Sequence, residues 1–476
     1  MTSFTEGMTT LATESNPFRI AIVGSGPSGF YAAEALLRRP HVRIDMFDRL
    51  PTPFGLVRGG VAPDHPKIKQ VCLVYDKIAR SSGFAFLGNV TIGKDLSIAQ
   101  LRDAYHAVVI ACGAPGDRRL GIPGEGLPGS HTATEFVGWY NGHPDYQDHK
   151  FDLSHHTAVV IGQGNVAADV ARILATPVDC LRPTDICEAA VEALARSCVR
   201  NIHIIGRRGP AQAKFTSVEL KELGKVRDCV ALCDAADLHL NPTSIEELTD
   251  IHADESRKNV ETFRAFASSA NATAPAARRL HFRFLETPIS INGGGGVSSV
   301  TLAKNTLVGQ KFEQAAVAGP SLLELPCGLV FRSVGSRGMA LPGVGFDECS
   351  GIIPNAKGRC LDAGKPVPGL YVTGWIKRGP TGLIGTNRAD SVETVASIFE
   401  DMAAFEDMAA LDPAPRPGAA GLRAVMSADG ARVISYKDWQ AIDSCERERG
   451  RPKGKPREKL THVLDMIAAA DQSAHD

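Results

Sequence analysis

At 476 residues the chain exceeds the size at which one hydrophobic core stops growing, so two domains are expected. A formal charge of −1 supplies no global field for nucleic acid or a membrane surface, and no apolar stretch approaches the ~20 residues of a membrane span. Eleven scattered cysteines without a CxxC pair fit reduced thiols in a cytoplasmic protein and weigh against thiol–disulfide chemistry.

Residues 1–16 carry two glutamates and no Lys or Arg, which argues against a signal or mitochondrial presequence and reads as a flexible polar tail. The apolar run Arg19-Ile20-Ala21-Ile22-Val23 then enters Gly24-Ser25-Gly26-Pro27-Ser28-Gly29 and leaves through a helical Phe30-Tyr31-Ala32-Ala33 pattern. Strand, glycine turn, helix is a dinucleotide fingerprint: glycine lets backbone approach a pyrophosphate, and the helix N-terminus offers it free N–H groups. The next strand, Arg43-Ile44-Asp45-Met46-Phe47, ends at Asp48, a carboxylate suited to an unphosphorylated ribose, as in FAD or NAD. A strand over 107–113 closes this half, and Gly121-Ile122-Pro123-Gly124 reads as a crossover linker.

A second fingerprint follows. Ala158-Val159-Val160-Ile161 leads into Gly162-Gln163-Gly164-Asn165-Val166-Ala167-Ala168 and a helix. Its next strand, over 201–206, ends at Arg207-Arg208, and paired guanidiniums select a 2′-phosphate, hence NADP(H). The bland alternatives are a loop cap for Asp48 and a solvated pair for the arginines; the shared position after a βα unit favours the ribose readers. Residues 176–200 predict a helical insertion, 241–277 a polar and mostly helical stretch, and Gly293 to Gly296 a hairpin tip. Cys229 and Cys233 have the spacing of one helix face. His155-His156 reads as a loop pair, and no metal-ligand set is present. Residues 369–374 predict a strand, a helix follows from about 389, and the basic, Gly/Pro-interrupted 447–459 reads as a solvated excursion before an amphipathic helix over 460–469. The end of the chain is expected to return to the first domain.

Phe47-Asp48-Arg49, Pro53-Phe54-Gly55-Leu56-Val57-Arg58, Gly60-Val61-Ala62-Pro63-Asp64-His65-Pro66, the second fingerprint, Gly206-Arg207-Arg208-Gly209-Pro210 and Gly374-Trp375-Ile376-Lys377-Arg378-Gly379-Pro380-Thr381-Gly382 come in one order over nearly the whole chain. Together they resemble the adrenodoxin-reductase type of ferredoxin–NADP reductase. The length and the Lys453-Gly454-Lys455-Pro456-Arg457 tail look like bacterial members. The resemblance implies an α/β fold with two Rossmann-like dinucleotide-binding domains. The FAD domain is discontinuous, 17–114 and 338–476 with a C-terminal extension, and the NADP domain is 115–337.

It also implies roles for residues. Gly24, Gly26 and Ser28 would hold the FAD pyrophosphate and Asp48 its ribose, where the family usually has Glu. Leu56 would line the flavin, and Ile92, on a strand after Gly88-Asn89-Val90, the adenosine part. Gln163, Gly164, Asn165 and Val166 would line the NADP pyrophosphate, Arg207 and Arg208 would hold the 2′-phosphate, and Glu219 would contact the nucleotide. Trp375, Gly382, Leu383 and Ile384 would pack along the flavin, Gly382 allowing nicotinamide and flavin to stack. His65 and Glu222 would sit at the nicotinamide–flavin junction. The expected partner is an acidic iron–sulfur ferredoxin on a separate chain, met by a basic patch of Arg257, Lys258 and Arg264 or of Arg278 and Arg279. A flavin monooxygenase, a reductase subunit of a larger complex and a non-catalytic NADP-binding protein are the alternatives.

Overall fold

The computed structural model describes residues 12–269, 277–403, 414–426 and 432–472. Two sheets organise the chain. The first runs in the order Asn355–Ala356, Arg359–Asp362, Lys365–Val372, Ala107–Ile110, Phe18–Val23, Val42–Phe47, Phe84–Leu87, and its last five strands pair in parallel. Alternate residues of these strands serve different faces: Ile20 and Ile22 join one core, Ala21 and Val23 the other. Burial on both faces is why such strands read as unbroken apolar runs rather than alternating ones.

The second sheet, in the order Ser130–Thr132, Leu329–Arg332, Thr157–Ile161, Asn201–Ile205, Arg278–Arg283, Cys229–Cys233, is parallel throughout. Helices cover one face. The other is covered by an antiparallel sheet of Glu286–Asn292, Ser299–Val308 and Ala315–Pro326, whose Ile291, Val300 and Leu302 pack on Val159, Ile161 and Val330. The chain passes between the two parallel sheets along an antiparallel ribbon of Gly116–Asp117 and Ser336–Arg337. In each sheet the first strand of the fingerprint is flanked by strands reached in opposite directions, and at such a switch point ligands bind beyond the carboxyl ends.

The predicted insertion forms the helices Val178–Leu181 and Glu188–Ala195, and the polar stretch forms Pro242–Leu248 and Asp254–Ser269. Gly293 to Gly296 join two antiparallel strands. The late helix starts three residues earlier than expected, as Thr386–Ala403, and the last one is Val463–Gln472. The predicted tail is only partly testable: residues 1–11 lie outside the described residues, while Ala12 packs on the first core and Asn16 is buried, so 12–16 are not a loose tail.

Two expectations fail. Cys229 and Cys233 lie on one strand, not a helix; four residues of strand span about 13 Å, beyond disulfide reach. The segment 447–459 is no solvated excursion. Arg447 to Gly450 finish the helix Tyr436–Gly450, and Lys455, Glu458 and Lys459 are buried. The reason is pairing: Lys455 Nζ donates to Glu458, and the Glu458 carboxylate accepts from Glu188 N at 3.0 Å. Lys459 Nζ donates to the carbonyls of Arg58 (3.2 Å) and Asn141 (3.0 Å). Burying a lysine costs heavily unless each N–H finds an acceptor, and here the acceptors come from both halves of the chain.

Candidate active site: a cleft between two glycine cradles

A cleft of about 1860 Å³ runs between the two parallel sheets, and both fingerprints open into it. The first glycine of each fingerprint is required by its surroundings. Gly24 (φ +111°) would place a Cβ 2.5 Å from the Ala111 carbonyl oxygen, and Gly162 (φ +134°) one 2.1 Å from that of Ser333. The second glycine faces empty space: a Cβ at Gly26 or Gly164 would meet nothing within 4 Å. Each thus keeps open a hollow before a helix N-terminus, Pro27–Leu36 and Asn165–Ala175, where a pyrophosphate fits.

Around the first hollow, Asp48 accepts from Ser25 N (3.0 Å), Ser25 Oγ and Leu50 N (2.9 Å), which fixes its carboxylate at the rim with one lone pair left on Oδ1. Phe54 holds a left-handed backbone (φ +83°), rare for an aromatic residue, and is pinned there by ring contacts to Phe30 and Trp439. Ile92 lines the cleft from an isolated bridge to Leu96, past the strand Phe84–Leu87 rather than on a strand. The 338–476 segment closes the wall. Gly374 (φ +79°) packs so tightly that a Cβ would lie 2.5 Å from Ser28 Oγ, and Ser391 Oγ donates to the Ser28 carbonyl. Trp375 follows, its Nε1 buried without an acceptor among the described residues. Leu56 and Ile384 line the cleft, and Leu383 does so with 60% of its surface exposed, an apolar side chain awaiting a cover. Gly382 lines the cleft, and its φ of +80° and a Cβ that would meet Thr386 Oγ1 at 2.7 Å give the chain's own folding a further need for glycine there.

At the second hollow, Gln163 turns its side chain back to the Arg283 carbonyl (3.0 Å), and a Cβ at Gly206 would collide with it. Asn165 Oδ1 accepts from Thr216 N (2.8 Å), and Val166 is exposed toward the cleft. Arg207 and Arg208 line the far end; among the described residues neither side chain has a hydrogen bond or an ion pair, and burial, then the neighbouring Arg207, disfavours the Arg208 cation. A dianion is the group that relieves such a pair.

Between the hollows, His65 and Glu222 meet: Nε2 lies 2.9 Å from Oε2, and Glu219 is 3.8 Å from the other ring nitrogen. Behind them Arg172, nearly buried, binds Asp64 (2.8 Å), Asp169 (2.6 Å) and Glu219 (3.3 Å). Burial raises the Asp169 and Glu219 carboxyls; it also pushes Asp64 up, but the Arg172 guanidinium outweighs it and holds Asp64 low. His65, Asp169 and Glu219 are close enough to chelate, yet the guanidinium already occupies the cation's place. Sequence reasoning missed Arg172; its only signal was an arginine on the apolar helix of the second fingerprint.

Residues 18–201 match the pyridine nucleotide-disulphide oxidoreductase family. Over 462 residues the chain is 42% identical to NADPH-ferredoxin reductase FprA of Mycobacterium tuberculosis, covering 95% of this chain and 98% of the relative. It is 42% identical to human mitochondrial NADPH:adrenodoxin oxidoreductase, over 96% and 92%. The chain belongs to the adrenodoxin-reductase-type ferredoxin–NADP reductases. The solved complex of FprA with NADPH superposes with a TM-score of 0.89 over 95% of this chain and 99% of that one.

The two expected basic patches differ in their surroundings. Arg257 bonds the Leu248 and Asp250 carbonyls, and Arg257 (3.7 Å) and Lys258 (2.5 Å) both lie beside Asp254, which offsets part of their charge. Arg278 and Arg279 begin the strand Arg278–Arg283, whose other end meets Gly206 at the cleft, roughly 17 Å away at strand rise. At the cleft itself stand Arg118 and Arg119, the latter with its side chain 82% exposed and 3.8 Å from Glu125.

Proposed function

We propose that the wall built by 17–114 and 338–476 holds FAD and that built by 115–337 holds NADP(H), with their reactive rings meeting beside His65. The chain is an FAD-dependent NADPH:ferredoxin oxidoreductase. When bound, nicotinamide supplies a hydride and flavin passes the electrons on singly. Gly24, Gly26 and Ser28 form the pyrophosphate cradle on one side, with Asp48 at the ribose. Gln163, Gly164, Asn165 and Val166 form the other cradle, with Arg207 and Arg208 on the 2′-phosphate and Glu219 beside the nucleotide. Leu56, Trp375, Leu383 and Ile384 cover the flavin and exclude water; Ile92 lies along the adenosine. His65, oriented by Glu222, holds or relays a proton at its ring nitrogens, while Arg172 keeps the surrounding carboxylates in place.

The observation that carries this reading is the pair of open glycine hollows facing one cleft, with two unpaired guanidiniums at the end of only one of them. The electron acceptor is an iron–sulfur ferredoxin, and its surface is acidic, an assignment supported by Arg118 and Arg119 at the cleft. Cytoplasmic placement accords with eleven free cysteines. Anaerobic NADPH should bleach the yellow protein, and a ferredoxin added afterwards should restore the colour as it is reduced. A colourless protein, or bleaching that ferredoxin does not reverse, would contradict the reading.

A further inference from the structure

Beyond the arginine pair, the second hollow has a side chamber of about 70 Å³ walled by Arg208, Gln212, Lys214, Glu247, Phe312 and Gln314 among others. Arg208, Gln212 and Lys214 line both this chamber and the main cleft. The backbone fixes Lys214 at this place: its N–H donates to the Gln163 carbonyl at 2.7 Å, and it bridges Gly164, the open glycine of the cradle. Its side chain is exposed and, among the described residues, has no hydrogen bond or ion pair.

The chamber's other polar groups explain why a cation remains free here. The Glu247 carboxylate is occupied: one oxygen accepts from Gln212 Nε2 (2.6 Å), the other from Phe312 N (2.7 Å) and Gln314 Nε2 (2.8 Å). That arrangement turns the Gln212 amide so that Oε1 is buried without a donor among the described residues. An ammonium is the complement of such an acceptor, and its remaining N–H groups are then free for an anion. A phosphate monoester carries nearly two negative charges and several acceptor oxygens, more than one arginine fork satisfies.

We propose that Lys214 is a third cationic ligand of the NADP(H) 2′-phosphate, acting with Arg207 and Arg208 and setting the preference for NADP(H) over NAD(H). The assignment rests on the placement of NADP(H) in the second cradle. Lys214 therefore determines specificity, and it takes no part in the redox step.

The test is calorimetric binding to oxidised, FAD-loaded enzyme, with two probes. NADP⁺ carries both the 2′-phosphate and the pyrophosphate; 2′,5′-ADP carries the 2′-phosphate without the pyrophosphate bridge. Lys214→Met should weaken both by about the same factor, on the order of tenfold for one partly solvated charge-assisted contact. Lys214→Arg should restore most of it. Loss of NADP⁺ affinity with 2′,5′-ADP unchanged would place Lys214 on the pyrophosphate and overturn the assignment, as would no loss with either probe. Arg208→Ala distinguishes failure of the underlying reading: if it too leaves 2′,5′-ADP binding intact, the 2′-phosphate does not bind at this end of the cleft at all.

Discussion

The seam between the two halves is held by charges that are almost fully buried, and Asp185 is its weakest point. Asp185, on the insertion between two helices of the second half, accepts from Lys69 Nζ of the first half at 2.6 and 2.8 Å, and lies 3.3 Å from Lys459 Nζ. Replacing it by Asn takes the shared carboxylate away from two lysine side chains, one of them 1% exposed. Removing one partner of a buried ion pair costs about 3–5 kcal/mol. Lys459→Met should cost less, about 1–2 kcal/mol, because Asp185 loses its 3.3 Å contact to Lys459 but keeps Lys69, and the remaining loss is a donor to the Arg58 and Asn141 oxygens. pH separates the two variants further. Burial pushes Lys459 down to about 7, whereas the unfolded lysine holds its proton to its ordinary 10.5. Between those values the unfolded chain binds more protons, so this lysine makes the wild type gain stability as pH rises from about 7 toward 10. Lys459→Met should lose that slope. Guanidinium denaturation of the holoenzyme, followed by far-UV ellipticity at several pH values, reads midpoint and slope together. A Lys459→Met variant less stable than Asp185→Asn at neutral pH, or one with the wild-type pH slope, would refute the reasoning.

Neutralising Arg207 and Arg208 should raise KM for NADPH, each lost bond being worth about 1.5–3 kcal/mol, with little effect on NADH; equal losses with both nucleotides, measured by steady-state kinetics, would remove the 2′-phosphate assignment. Gly26→Val should give colourless or unstable protein, whereas Gly164→Val should stay yellow but bind NADP⁺ poorly, because each fills only its own hollow; absorbance of the purified variants decides. Arg172→Met should destabilise by about 3–5 kcal/mol at pH 7, and less toward pH 5, as the abandoned carboxyls Asp64, Asp169 and Glu219 take up protons. A pH-independent loss would show that packing, not charge, is what Arg172 supplies. At saturating NADPH, salt should depress ferredoxin turnover before that of a neutral quinone, since the Debye length falls from about 10 Å at 0.1 M to about 3 Å at 1 M; parallel losses would exclude electrostatic docking.

Both cradles were legible in the sequence because everything they require is local. A strand, a turn that tolerates Gly24 or Gly162, and a helix follow one another within some twenty residues, and Asp48 and Arg207-Arg208 sit at the ends of the next strands. What was misread depends on distant partners. Cys229 and Cys233 show a four-residue spacing compatible with either period, and the pairing of their strand with Arg278–Arg283 decides it. The run 447–459 is polar by composition, yet Glu446, Asp443, Asp185 and Asn141 bury it, and none of these lies where a local pattern points. The second demand on Gly382, the Thr386 side chain against it, comes from the fold of the following helix and leaves no mark in the glycine motif.

The charged character of the seam follows from what the cleft must do. Reacting atoms in a transfer between two bound rings must be held about 3–3.5 Å apart, and a misplacement near 1 Å is costly. Apolar surfaces slide over one another with little change in energy, because burial is proportional to area and has no direction. Ion pairs and carbonyl-bound ammoniums do have direction. Arg172 joins Asp64 of the first half to Asp169 and Glu219 of the second, directly behind His65. Lys69 and Lys459 reach Asp185 on the same seam, and Arg58, whose helix Leu56–Gly59 borders the cleft, is fixed by Glu446 at 2.9 Å. The desolvation these groups suffer is a stability loss that an apolar seam would avoid. The return is a single relative orientation of the two cradles, so the same contacts that make Asp185→Asn destabilising should also make it slow hydride transfer before the fold itself is lost.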